Sequence, residues 1–228
     1  MLSVVKVRFF LVLLALSLLA VPTLAAAQNQ PVSADVDDPA YRAAAEKFID
    51  DLVRDAIRDL ADAKVPEEKR FSAFERIYTN SFDIERISRF ALARYWNIAT
   101  PAERQEFLAL FKESSMQMYR SRLKSYRGQS MRVTGSRLDG SGQHVLVSAE
   151  IIDPASSNPV AIEWRVVRTG NTLRVGDIAV EGISLGLTLR SEYAAVIEKN
   201  GGRVAGLLNE LRVKNAASNA PTIETKAN

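Results

Sequence analysis

From Tyr41 to about Asp62 the apolar residues Ala44, Ala45, Phe48, Ile49, Leu52, Val53, Ala56, Ile57 and Leu60 recur at spacings of three and four, with charged residues between them. That spacing predicts an amphipathic helix with one face turned to a core. Pro66-Glu67-Glu68 opens a second helix through Tyr78, with Phe71, Phe74, Ile77 and Tyr78 as its stripe. Asp83 is placed to cap a short third helix carrying Ile84, Ile87, Phe90 and Ala91. Thr100-Pro101-Ala102-Glu103 joins a capping box to a proline at N1. The helix it starts carries Phe107, Leu110, Phe111, Met118, Tyr119 and Leu123 and runs until near Gly128.

After Gly128 the period falls from 3.6 to 2. Strands are predicted over Met131–Leu138, Val145–Ile152, Val160–Arg168 and Leu173–Val180. Asp139-Gly140-Ser141-Gly142 and Thr169-Gly170-Asn171 are the tight turns, with a loop around Pro154 to Pro159. Four consecutive strands so joined form an antiparallel meander. Two helices, about Leu187–Glu198 and Val204–Arg212, close the chain on either side of Asn200-Gly201-Gly202. The fold class is α+β: N-terminal helices, a four-stranded antiparallel meander, and C-terminal helices, with helices covering one face of the sheet.

Ahead of the helices, Lys6 and Arg8 precede an apolar run from Phe9 to Val21, then Pro22 and Ala25-Ala26-Ala27. This is the order of a cleaved secretory signal peptide, and the run is short of the roughly 20 residues that span a bilayer. Residues 1–27 are therefore expected to be removed, 28–39 to form a flexible lead-in, 40–213 to form one domain, and 214–228 to be a disordered tail. The mature protein is then expected to be exported and soluble.

Composition then narrows the chemistry. The 228 residues hold 30 Lys+Arg and 27 Asp+Glu; without the signal segment, 28 cations face 27 anions. A near-neutral body gives no footprint for nucleic acid. There is no cysteine, which removes disulfides, thiolate metal sites and thiol nucleophiles. The single histidine, His144, follows a glycine-rich turn and is expected to be exposed. Glu150 and Glu163 sit on neighbouring strands, where alternation turns both to solvent rather than into an acid–base pair. Arg120, Arg122, Lys124 and Arg127 crowd a helix end and complement its dipole, or attract a lipid phosphate or acidic partner. Arg86, Arg89 and Arg94 admit the same two readings, and Tyr95-Trp96 reads as core. No catalytic set, metal site or cofactor motif emerges.

Two blocks of sequence resemble one family. Asp177-Ile178-Ala179-Val180-Glu181-Gly182-Ile183-Ser184-Leu185, then Leu189-Arg190-Ser191-Glu192-Tyr193, then Gly201-Gly202 before Leu207-Leu208 form the first. Phe82-Asp83-Ile84-Glu85-Arg86-Ile87, Ala93-Arg94-Tyr95-Trp96 and Ala99-Thr100-Pro101-Ala102-Glu103-Arg104 form the second. Together they resemble the periplasmic phospholipid-binding proteins of the Mla and toluene-tolerance (Ttg2) type, over roughly Tyr41 to Arg212. The resemblance implies a soluble carrier that shuttles phospholipid between the two membranes of a Gram-negative cell and so maintains outer-membrane lipid asymmetry. Its implied partners are an inner-membrane ABC transporter complex with an MCE-type subunit and an outer-membrane lipoprotein complex, with transient membrane contact. It also implies an apolar cavity between helices and a curved sheet, and no catalytic residues.

The chemistry of such a cargo is demanding. A diacyl lipid has about 30 methylene groups, and leaving them in water costs on the order of 20 kcal/mol. A carrier must enclose them in a cavity on the order of 800 Å³. The candidate lining is Phe74, Ile77, Phe90, Phe107, Phe111 and Met118 on helices, with Val147, Ala149, Ile151, Ile162, Trp164 and Val166 on strands. Periodicity tells which face is buried, not whether the space beneath is filled; the hollow is what the resemblance implies. Three alternatives stay open: a hopanoid-associated carrier, a small enzyme on a cone-like α+β fold using Asp177 or Glu181 as base, and an adaptor with a solid core.

Overall fold

The computed structural model describes residues 38–60, 62, 64–123 and 128–219. The expected signal segment, most of the expected lead-in, and the basic side chains of Arg120, Arg122, Lys124 and Arg127 lie outside the described residues. Among the described residues five helices come first: α1 (Pro39–Leu60), α2 (Glu67–Ser81), α3 (Ile84–Leu92), α4 (Tyr95–Ile98) and α5 (Pro101–Leu123). The strands follow as β1 (Ser130–Leu138), β2 (Val145–Ile152), β3 (Val160–Thr169), β4 (Thr172–Val180) and β5 (Ile183–Ser184), and α6 (Leu185–Lys199) and α7 (Val204–Asn219) close the fold. The expected capping residues act as such: Asp83 accepts from the Arg86 N–H at 3.1 Å, and Thr100 and Glu103 exchange the reciprocal bonds of a capping box.

The sheet is antiparallel in the order β1-β2-β3-β4-β5, the meander expected plus one short strand. That strand arises at Glu181-Gly182, where both residues have positive φ (51° and 78°), the geometry that turns β4 back on itself within two residues. Glu181, a non-glycine in that region, is held by Ala161: its N–H donates to the Ala161 carbonyl at 2.9 Å and its carboxylate accepts from the Ala161 N–H at 2.6 Å. Gly170, with φ 59°, opens the two-residue hairpin between β3 and β4, a position that favours glycine.

Two bulges decide which residues share a face. The register shifts at Thr134 in β1 and at Gly176 in β4. Without them, strict alternation would set Val133 and Leu138 on opposite faces, and Val175 and Ile178 likewise. With them, the directly paired rows Leu138–Val145–Val166–Val175, Val147–Trp164–Ile178 and Val133–Ala149–Ile162–Val180 all lie on one apolar face. The opposite face carries cross-strand ion pairs, Arg132–Glu150 at 2.7 Å and Arg137–Glu163 at 2.8 Å. Both glutamates thus face away from the apolar layer, as alternation predicts.

Helix α1 lies along β1 and β2 on the apolar face. Its first turns are fixed by polar contacts: Ser136 Oγ donates to Glu46 at 2.6 Å, an Arg42 Nη donates to the Ser136 carbonyl at 3.1 Å, and Tyr41 donates to the Val166 carbonyl at 3.3 Å. The junction of α2 and α3 docks on the free edge of β4, where Asp83 N–H donates to the Val175 carbonyl at 2.9 Å. That contact covers a sheet edge that would otherwise present unpaired backbone groups.

A second core is wholly helical. Leu92, Phe107, Phe111, Tyr193, Ile197, Leu207 and Leu208 are all buried together between α3, α5, α6 and α7. Phe107 meets Tyr193 edge to face with centroids 5.7 Å apart, and burial pushes the Tyr193 hydroxyl pKa well up. Helix α7 also runs past its expected end: residues 214–219, expected as tail, are helical. Asn215 explains the extension, since its buried amide donates to the Leu110 carbonyl at 3.1 Å and accepts from Ser114 at 2.7 Å.

Candidate functional site

The apolar face of the sheet and the helices above it form the layer best suited to an apolar ligand. Tyr41, Ala45, Ile49 and Leu52 of α1 are buried against Val145, Val147, Ala149, Ile162, Trp164, Val166 and Val175. Around this centre the layer is not closed. Phe48, Val53, Ile77, Phe82, Met131, Val133, Ile151 and Ile178 pack against it but are only partly buried. Incompletely covered apolar side chains between a sheet and its helices leave surface on which acyl chains can lie.

Trp164 sits in the middle of the layer. Across the strands it pairs with Val147 and Ile178, and along β3 its same-face neighbours are Ile162 and Val166. It is 9% exposed, and its indole Nε1 is fully covered with no hydrogen-bond partner. An indole N–H is a donor only, so nothing in this apolar setting satisfies it.

The residues expected to line a cavity do not all come together. Val147, Ala149, Ile151, Ile162, Trp164 and Val166 come together on the apolar face, with Ile77 of α2 packed against them. Phe74, also on α2, is half-buried and stacks on Tyr78 with centroids 5.7 Å apart. Phe107 and Phe111 are placed elsewhere, in the helical core, because Tyr193, Ile197, Leu207 and Leu208 supply them with apolar partners away from the sheet. Phe90 and Met118 are exposed, at 41% and 57%. Phe90 lies over Gly186, where a Cβ would meet its ring at 3.3 Å, and the Arg190 guanidinium sits 5.6 Å from its centroid. Sequence reasoning left α1 out of the site: its stripe was legible, but nothing in it marks which helix docks on the sheet.

The polar candidates have structural partners. Asp177 accepts from Ser184 Oγ at 2.5 Å, Ile178 N–H at 2.8 Å and Gly186 N–H at 3.0 Å, so it secures the start of α6. Glu181 is the exposed turn residue bonded to Ala161. His144 is half-buried rather than exposed, because the Asp139 turn folds back on it: Asp139 N–H donates to the His144 carbonyl at 2.8 Å. Burial raises the Asp139 carboxyl pKa, but bonds from Ser141 and the His144 N–H, with the charges of His144 and Arg165, hold it below the usual range. Tyr95 and Trp96 are buried in the helical core as expected.

Arg86 and Arg89 line an open surface cleft of about 620 Å³ with Asp83, Glu85, Phe90, Trp96 and Asn97. Its mixed charges and openness suit polar contacts better than acyl chains. Among the described residues no group of three or more His, Asp or Glu side chains is placed to hold a metal, and no helix is long and apolar enough to cross a membrane.

A toluene tolerance protein, ttg2D, of Pseudomonas putida is 27% identical over 157 residues, covering 66% of this chain and 72% of the relative. A phospholipid-binding protein of Ralstonia solanacearum, solved in complex with a phospholipid, superimposes with a TM-score of 0.68 at 27% identity, over 77% of this chain and 99% of the other. Residues 48–213 match the sequence profile of the MlaC protein, and the chain therefore belongs to the MlaC family.

Proposed function

We propose that this protein is a periplasmic phospholipid carrier that shuttles lipid between an inner-membrane ABC transporter complex with an MCE-type subunit and an outer-membrane lipoprotein complex. In that role it serves outer-membrane lipid asymmetry. The observation that carries the reading is the apolar layer between β1–β4 and the helices α1 and α2, buried at its centre and only partly covered at its margin, in a chain of this family. The phospholipid seen with the Ralstonia protein supports the choice of cargo.

Its mechanism is passive. Each buried methylene gains about 0.8 kcal/mol, so the layer holds a diacyl lipid by withdrawing its chains from water while the headgroup stays near solvent. Transfer follows from which partner binds the loaded or the empty form better, because a partner shifts an equilibrium only by its differential affinity. The acyl chains lie on Val147, Ala149, Ile151, Ile162, Trp164 and Val166, with Ile77 beside them; Phe107 and Phe111 serve the helical core.

Native mass spectrometry of residues 28–228 purified from bacterial periplasm, followed by solvent extraction, tests the proposal. A discrete added mass identified as diacyl phospholipid is expected. A bare protein that also takes no lipid from vesicles overturns it.

A further inference from the structure

We propose that the Trp164 indole N–H is a polar anchor for the cargo, donating a hydrogen bond to an ester carbonyl at the root of an acyl chain. This rests on the carrier reading above. Trp164 is nine-tenths buried, and its Nε1 is both covered and unpartnered. Buried donors are nearly always bonded, because an N–H withdrawn from water without an acceptor destabilises the state that holds it. Packing alone does not call for that donor: a phenylalanine would fill much of the same space beside Val147, Ile162, Val166 and Ile178 without an orphan.

The acceptor follows from the surroundings. All four same-face neighbours within the sheet are aliphatic, so a phosphate placed there would lose its hydration with no cation among them. A neutral ester carbonyl offers lone pairs without a net charge, and it lies where the chains begin. Because Nε1 is covered in this structure, the carbonyl reaches it only as the entering chains part the helices from the sheet. The donor, unpartnered in this conformation, is satisfied once the carbonyl arrives, which biases the protein toward holding ester lipid.

The test compares uptake from vesicles of diester phosphatidylglycerol with uptake from vesicles of its diether analogue of matched chain length. Wild-type protein is expected to prefer the ester by about twofold to tenfold, the range of one net hydrogen bond, and Trp164→Phe to lose that preference. In the wild type, the ¹⁵N-labelled indole resonance of Trp164 should move downfield with the ester lipid and not with the ether, a readout independent of how the variant folds. Equal uptake of both lipids by wild type, a preference kept in Trp164→Phe, or an indole resonance indifferent to the ester overturns the anchor while leaving the carrier reading intact. Wild-type protein that takes up neither lipid overturns both.

Discussion

The carboxylate of Asp177 receives the Ser184 hydroxyl at 2.5 Å and the Gly186 N–H at 3.0 Å, tying β4 to the first turn of α6. Ser184 is itself the N-cap, accepting from the Leu187 N–H at 3.0 Å. The two side chains therefore form one capping unit. Ser184→Ala should cost about 1 kcal/mol and Asp177→Ala about 2 kcal/mol, and the double variant less than the sum of the two. Urea unfolding of the three variants checks this; strict additivity would separate the two roles.

Gly206 stands where α7 passes closest to the end of α6. A Cβ there would lie 2.3 Å from Asn200 Cβ. Gly206→Ala should destabilise the protein by about 2 kcal/mol, although alanine favours helices elsewhere, because the corner must open to admit it. A thermal melt showing an unchanged or higher Tm would contradict the tight corner.

Acid should weaken the Asp139 turn. The folded-state pKa of Asp139 is held below its unfolded value near 3.9, so its contribution is fully present above about pH 4 and is lost as pH falls through the lower folded value. Urea midpoints at pH 7 and pH 3 should differ more in wild type than in Asp139→Asn. An equal loss in both would mean that the bonds from Ser141 and His144 do not stabilise the ionised form.

The two cores should respond differently to substitution. Phe107→Ala opens a hole in the helical core and should cost about 3–5 kcal/mol, with lipid still bound per folded molecule. Ile151→Trp, at the half-buried margin of the sheet layer, should leave the fold in place and lower lipid uptake several-fold. Extraction of lipid from both purified variants decides between them; loss of lipid in Phe107→Ala alone would move the site to the helical core.

That division is also where sequence reasoning reached its limit. Helix stripes and strand alternation located most elements, and the caps at Asp83, Thr100 and Glu103 marked two helix starts. The six strand residues chosen as lining do share a face. The helical choices scattered, because an apolar stripe records that a face is buried and not against what. Phe107 found Tyr193, while the stripe from Tyr41 to Leu52 found the sheet. The bulges at Thr134 and Gly176 were also hidden, since each inverts the alternation on which strand reading depends. The fifth strand, only Ile183–Ser184, is too short to show a period.

The central claim is that acyl chains lie on the sheet side of the molecule and not within the helical core. Methyl-labelled protein loaded with a phospholipid carrying a nitroxide along one acyl chain measures this directly. The methyl signals of Val147, Ala149 and Ile162 should broaden strongly, while those of Leu207, Leu208 and Ile197 stay sharp. Broadening confined to the helical core, or absent from both sets, would contradict it.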